Sequence, residues 1–307
     1  MQKRVKMNKD LVSVIIPNYN RKSLIKQAIA SVLSQTYPNI EIIIVDDCST
    51  DGSVEEIEQL AIKYENVFGI YSKKNHGANY SRNLGVAKAS GKYLAFLDSD
   101  DAFYKTKIEK QMKALLDDST ADIKFSTCLF EQKRNITENK FLSLNDIMIN
   151  NILGGFSTLL VTREAYINVG GVDIEMESCQ DWDLYLKLLT KYNGILIAEQ
   201  LVYYDVQTDS ISNNYDKVIA GHIKIFEKIK EINVQHQILT TNKLIYHQNR
   251  LLGSLNRYFE KRKIARKYYR KNLSLDFNAE SILNYLSTFI SSKLYNKIIQ
   301  NWRSLLR

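Results

Sequence analysis

The chain has 307 residues, 45% of them hydrophobic, enough for one large core with a smaller appendage. Its three cysteines, Cys48, Cys128 and Cys179, are far apart with no CxxC pair, which excludes a disulfide framework or a zinc site and fits a reducing compartment. The net charge of +8 is unevenly divided: residues 221–307 carry 17 Lys+Arg against 5 Asp+Glu, a net of +12, and leave −4 for the residues before them.

In chain order, apolar runs of strand length are expected at residues 12–17, 41–46, 67–71, 93–98, 123–128 and 158–162. Amphipathic stretches at 23–35, 53–64, 79–89 and about 103–116 fall between the early ones, with Gly91 as the expected C-cap of the third. This βαβα alternation predicts an α/β fold with a mostly parallel sheet flanked by helices. A helix after Asp181 and an edge strand or hairpin at 195–206 follow, and from about 216 the pattern is helical and basic. The apolar stretch 11–16 ends at Pro17, too short for a signal peptide core, and no run reaches the length of a membrane span. A cytoplasmic location is expected.

The most informative junction is Leu97-Asp98-Ser99-Asp100-Asp101, where an apolar strand runs straight into three carboxylates. The carboxyl ends of parallel strands are where α/β sheets bind ligands, and clustered acids repel unless something positive lies among them. A Mg²⁺ or Mn²⁺ ion shared with a diphosphate suits that need, against the simpler role of capping the next helix. The first strand ends in Pro17-Asn18-Tyr19-Asn20-Arg21 and the second in Asp46-Asp47-Cys48-Ser49-Thr50-Asp51-Gly52-Ser53. Tyr19 offers a face for stacking a base, and Asp47 an acceptor for a pyrimidine N–H. Ser49, Thr50 and Asp51 read as ordinary capping residues. In the loop Asn75-His76-Gly77, Asn75 and Gly77 permit close approach to a ligand, and Arg82 brings a cation one turn into the helix that follows.

Four segments together resemble the family-2 glycosyltransferases in order and spacing: Ser13–Arg21, Ile44–Ser53, the Asn75-x-Gly77-x-x-x-x-Arg82-Asn83-x-Gly85 run, and Phe96–Asp101. The resemblance is specific over about 11–116 and looser to about 212. It implies a GT-A fold, a nucleotide-sugar donor, a divalent metal and inversion at the anomeric carbon. By position it implies that Pro17, Tyr19, Asn20, Asp47, Asn75, Gly77, Arg82, Asp98 and Ser99 meet the donor nucleotide, with uracil favoured, and that Asp98 and Asp100 hold the metal. The block Gly170-Gly171-Val172-Asp173 and Cys179-Gln180-Asp181-Trp182-Asp183 resembles the segment in which the family has Glu-Asp, with Gln180 replacing Glu and Asp181 retained as the base. Gln180 and Trp182 are candidates for the acceptor site, Trp182 as an aromatic floor or a core residue. A family segment with Arg and His reads Asp205 and Gln207 here, with His222 the nearest substitute.

The organisation expected is a glycosyltransferase domain over 1–215, its nucleotide half about 11–116 and its acceptor half 117–215, then a basic helical region over 216–307. The run Lys261–Lys271 and the mixed apolar and basic segment after it suggest an anionic membrane surface, a helical bundle or a subunit contact, and no nucleic-acid motif accompanies the charge. The activity expected is transfer of a sugar to a glycan or lipid-linked acceptor for a surface polysaccharide. Two alternatives are a nucleotidyltransferase, which lacks the glycine-rich loop it would need after the first strand, and an inactive nucleotide-sugar-binding scaffold.

Overall fold

A computed structural model describes residues 10–116, 122–131, 136–204, 213–291 and 294. The chain forms two compact units, Met1–Ser210 and Ile211–Arg307.

The first unit is built on β1 (Val12–Asn18), β2 (Ile40–Asp46), β3 (Val67–Tyr71) and β4 (Tyr93–Phe96), separated by α1 (Lys22–Leu33), α2 (Ser53–Lys63) and α3 (Ala78–Lys88). All seven residues of β1 and of β2 are buried, as a strand covered on both faces requires. The order β3-β2-β1-β4 is parallel, so the chain steps outward from β1 twice and then crosses back to its other side. The carboxyl ends of β1 and β4 therefore border a topological switch point, the crevice where open α/β sheets bind ligands.

Beyond β4 the sheet continues through β8 (Leu160–Thr162), β6 (Ile123–Phe130), β9 (Asn193–Tyr203) and β5 (Ala102–Phe103), with β7 (Lys140–Leu142) also on β9. Among the described residues, β1–β4, β6 and β9 share one direction, and β5, β7 and β8 oppose it. The expected edge strand is thus an inner one, because β9 has β6 on one side and β5 and β7 on the other. A strand also occupies part of the expected helix 103–116: α4 spans Lys107–Leu116, since Phe103 packs into the core from β5. Gly91 caps no helix. The C-cap of α3 is Ala89, and a Cβ at Gly91 would meet Ser13 Oγ at 2.5 Å and Leu11 O at 2.8 Å, so close packing demands the glycine.

Two short helices complete this unit, α5 (Arg163–Asn168) and α6 (Gln180–Leu189). Among the described residues the second unit comprises α7 (Tyr215–His236), α8 (Thr241–Tyr258), α9 (Arg262–Leu275) and α10 (Ala279–Ser287).

Candidate active site

Three segments converge at the switch point: the turn after β4, the first turns of α3, and the N-terminus of α6. After Leu97 the turn closes with Asp101 N–H donating to Asp98 O at 2.9 Å. The three acids then take separate roles. Asp101 is buried and accepts from Ser157 Oγ at 2.6 Å. Ser157 in turn accepts from the Asp98 backbone N–H at 3.0 Å, which fixes the turn. The Asp98 carboxylate, about a third exposed (34%), meets the buried Arg82 guanidinium at 2.6 Å. Asp100 stays partly exposed and Ser99 is buried. The positive partner that the acid cluster needs is thus supplied at Asp98 by the protein itself.

Arg82 is fixed from several sides. Its NH1 donates to Asn79 Oδ1 at 3.4 Å and its guanidinium lies 4.0 Å from the Phe156 ring centroid. Its Nε is buried with no partner. An arginine held this rigidly presents a fixed cation to the crevice.

The same helix ties the second sequence block to the first. Asn79 Nδ2 donates to the carbonyls of Asp173 (3.2 Å) and Met176 (2.9 Å). Asn83 Nδ2 donates to Val172 O at 2.8 Å, and its Oδ1 accepts from Tyr166 OH at 2.7 Å and from Val172 N–H at 3.2 Å. Gly171 has φ +64°, and a Cβ there would come within 2.9 Å of Asn83 Oδ1. The segment leading into α6 is therefore clamped to α3, which brings Asp181 within electrostatic reach of Arg82 and Asp98. Asp181 Oδ1 accepts from Trp182 N–H at 2.8 Å and Oδ2 from Asn151 Nδ2 at 2.9 Å. Burial raises its pKa to about 6 and the Asp98 charge adds to that, while the Trp182 N–H and Arg82 oppose it. A carboxylate that ionises near 6 is a competent base at neutral pH.

Other expected residues fall into place differently. Tyr19 is exposed at the end of β1, whereas Pro17 is buried within that strand. Asn20, at φ +50°, donates its N–H to Ser49 Oγ (2.8 Å) and accepts from Thr50 N–H (2.8 Å), linking the loops after β1 and β2. Asp51 accepts from Lys22 N–H and from Ser53 N–H, the capping work expected of it. Asp47 is buried, and its carboxylate accepts from His76 N–H (2.9 Å) and Gly77 N–H (2.6 Å). It thereby holds the loop Asn75–Gly77 instead of facing outward as a free acceptor. Asn75 Oδ1 also accepts from Gly77 N–H at 3.1 Å, and Gly77 adopts φ +89°, ψ 161°, open only to glycine.

Trp182 is no aromatic floor for an acceptor. It is buried, with Nε1–H donating to Ile147 O at 2.8 Å, because the first turn of α6 turns its ring inward. Gln180 stays partly exposed, its Nε2 donating to Glu177 O at 3.2 Å. Asp183 is buried against Lys187 at 2.7 Å. Asp205 and Gln207 lie outside the described residues. His222 sits in α7 of the second unit with Nδ1 on Val218 O at 2.7 Å, a helical backbone contact.

Sequence reasoning missed Asn151, Ser157 and Tyr204. Burial raises the Tyr204 pKa, with the charges of Asp101, Asp100 and Asp98 adding to it, and Tyr204 directly follows β9. Asn151 and Ser157 carry no spacing signal, since each reaches the site only by folding, whereas Tyr204 stands directly before Asp205 in the segment that resembles the family's. Among the described residues no three His, Cys, Asp or Glu side chains are grouped to hold a metal unaided.

A doubly wound sheet with an Asp-x-Asp turn, a buried arginine and a poised carboxylate at its switch point defines a GT-A glycosyltransferase. The Glycosyl transferase family 2 model matches residues 13–158. A Bacillus subtilis (strain 168) protein named for teichuronic acid biosynthesis, the glycosyltransferase TuaG, is 34% identical over 233 residues, 73% of this chain and 90% of that protein. An uncharacterized glycosyltransferase of Haemophilus influenzae is 32% identical over 242 residues, 73% of this chain and 81% of its own. The chain belongs to glycosyl transferase family 2. Among solved structures, S. aureus TarS 1-349 in complex with UDP-GlcNAc has TM-score 0.58 at 19% identity, covering 91% of this chain and 79% of that one. The mannosyltransferase PcManGT from Pyrobaculum calidifontis in complex with GDP-Man and Mn²⁺ has TM-score 0.63 at 15% identity, covering 92% and 80%. At these identities they speak for the fold alone. Among the described residues no helix is long and apolar enough to cross a membrane.

Proposed function

We propose that this enzyme moves a sugar from a UDP-sugar to a hydroxyl of a glycan or lipid-linked acceptor during synthesis of a surface polysaccharide, with inversion at the anomeric carbon. The observation that carries this reading is Asp181, poised near 6 beside the Arg82–Asp98 pair at the switch point. In a single displacement, Asp181 takes the proton of the acceptor hydroxyl. The hydroxyl oxygen bonds to the anomeric carbon as the bond from that carbon to the diphosphate oxygen breaks, its electrons leaving with the nucleotide. Asn151 and the Trp182 N–H aim the base. The Arg82 guanidinium is the fixed cation that would offset the charge growing on the departing diphosphate.

Asp98 and Asp100 suit a Mg²⁺ or Mn²⁺ ion, because both are partly exposed carboxylic residues on one turn and such ions complete their shell with phosphate and water. Bound there, the ion supplies charge stabilisation to the leaving diphosphate. Tyr19 offers its ring to the base, Asn20 and Ser99 stand on the turns after β1 and β4 at the donor side, and Asp47 acts through the Asn75–Gly77 loop it holds. The relative named for teichuronic acid biosynthesis supports a surface-glycan product, and the uracil nucleotide rests on the exposed Tyr19 and on the family-2 motifs. Gln180, partly exposed beside the base, is the acceptor-side residue.

Calorimetric titration of UDP and of GDP, each with Mn²⁺ and then with EDTA, tests this. UDP binding that collapses in EDTA and exceeds GDP binding is expected. Equal or tighter GDP binding would overturn the donor, and unchanged affinity in EDTA would overturn the metal.

A further inference from the structure

Helix α10 leaves two leucines exposed while it buries two serines. Its buried residues are Ser281 and Ser287, followed by buried Thr288. Ile282 and Tyr285 are half-buried, but Leu283 is 63% exposed and Leu286 54%, and the helix is flanked by Phe277 at 77% and Phe289 at 54%. Leu283 and Leu286 are three residues apart, so they share one helical face, and Phe289 follows in the turn after the helix. Burying serines beneath exposed leucines forfeits apolar burial, unless the apolar face meets a surface of its own kind.

The adjoining helix supplies the charge. On α9, Ala265, Tyr269 and Asn272 are buried, with Tyr269 against Gly253 of α8 and Asn272 Nδ2 donating to Tyr246 O at 2.9 Å. The opposite face presents Lys263, Ile264, Lys267, Arg270 and Lys271 to solvent. Among the described residues none of these four cations has a carboxylate partner, whereas nearby Glu280 is paired with Arg250 at 3.0 Å. The two helices are joined where Arg266 lies 3.7 Å from the Phe289 ring centroid and donates to Thr288 Oγ1 at 3.0 Å.

We propose that the α9–α10 pair is a membrane-surface anchor that takes anionic lipid headgroups on its lysines and arginine while Leu283, Leu286 and the flanking phenylalanines enter the acyl boundary. An apolar face beside a cationic one is the pairing that interfacial helices use. The exposed leucines decide against a soluble polyanion, which would engage the charges alone. The anchor is independent of the sugar chemistry of the first unit.

The test is co-sedimentation of the full chain with vesicles of phosphatidylcholine alone or with about a third phosphatidylglycerol. Binding is expected only to the anionic vesicles, weakened by salt. The Lys263→Gln/Lys267→Gln/Lys271→Gln variant should lose on the order of a hundredfold in partitioning, at roughly fivefold per cation. Leu283→Ser/Leu286→Ser should lose on the order of tenfold or more. All five side chains are exposed, so unchanged melting temperatures are expected and control for folding. Three results would overturn the proposal: no partitioning by folded protein at low salt, partitioning insensitive to the leucine change, or a stable dimer in sedimentation equilibrium that the leucine change dissociates. The last would assign the face to a second copy of the chain.

Discussion

Replacing Asp181 by Asn separates the cost of the base from its use. The carboxyl is pushed from 3.8 to about 6, chiefly by burial, so its ionised form is disfavoured in the folded protein by about 3 kcal/mol. The sign follows from linkage. Below pH 3.8 both states hold the proton and nothing is lost, and above about 6 the whole penalty is present. Asparagine removes it but sets an amide N–H₂ against either the Asn151 Nδ2 donor or the Trp182 N–H, losing one hydrogen bond worth about 1 kcal/mol. The net expectation at pH 8 is a gain of about 2 kcal/mol, a rise of several degrees in melting temperature, which vanishes or reverses at pH 4. Donor binding should persist, since Asp181 touches neither Tyr19 nor the Asn75–Gly77 loop in the described contacts. Transfer should fall by about 10²–10⁴, the range for a lost general base. In the unaltered enzyme kcat/KM should rise with pH through an acid limb near 6. Thermal melts at the two pH values, with a coupled assay of UDP release, read all of this. A variant equally destabilised at both pH values would refute the desolvation argument, and one that retains transfer would refute the assignment of the base.

Three further outcomes are expected. Lys107 is fully buried, donates to Gln111 Oε1 at 2.6 Å, and has its pKa lowered from 10.5 to about 8 by burial. Its ammonium therefore opposes folding below pH 8, and the stability of Lys107→Met relative to the parent should decline by up to about 3 kcal/mol between pH 7 and 10.5 in denaturant titrations, a flat difference contradicting it. Gly77→Ala meets no atom within 4 Å, so its cost is backbone strain of about 1–3 kcal/mol, read as a lower melting temperature together with weaker UDP binding. Asp47→Ala leaves the His76 N–H without its acceptor and the Gly77 N–H with Asn75 Oδ1 alone, and should cost about 1–3 kcal/mol and loosen the loop, seen as faster amide exchange at residues 75–77; unchanged exchange would show that Asp47 does not hold it.

The parallel core was legible in the chain because buried strands announce themselves as unbroken β-branched runs, and the turn residues at their ends as clusters of acid, amide and glycine. That is why Val12–Asn18, Ile40–Asp46 and the Asp98–Asp101 turn were recoverable by reading, as was the arginine at 82. Period and composition carry no partner information, however. Whether Asp98 faces a metal or Arg82 first, and whether Trp182 lines a site or the core, depends on which helix packs over which strand end. The same limit hid the inner position of β9, since a strand's neighbours are set by contacts distant in sequence. The amide side chains of Asn79 and Asn83 look like loop polarity in one dimension, yet in space they bind the backbone of residues 172–176 and bring the base to the switch point. Local sequence determined the elements and the chemistry available at their ends. Only the tertiary structure decided which of those groups are satisfied by one another and which remain for a ligand, because burial and hydrogen-bond pairing belong to the packed state and not to the residue.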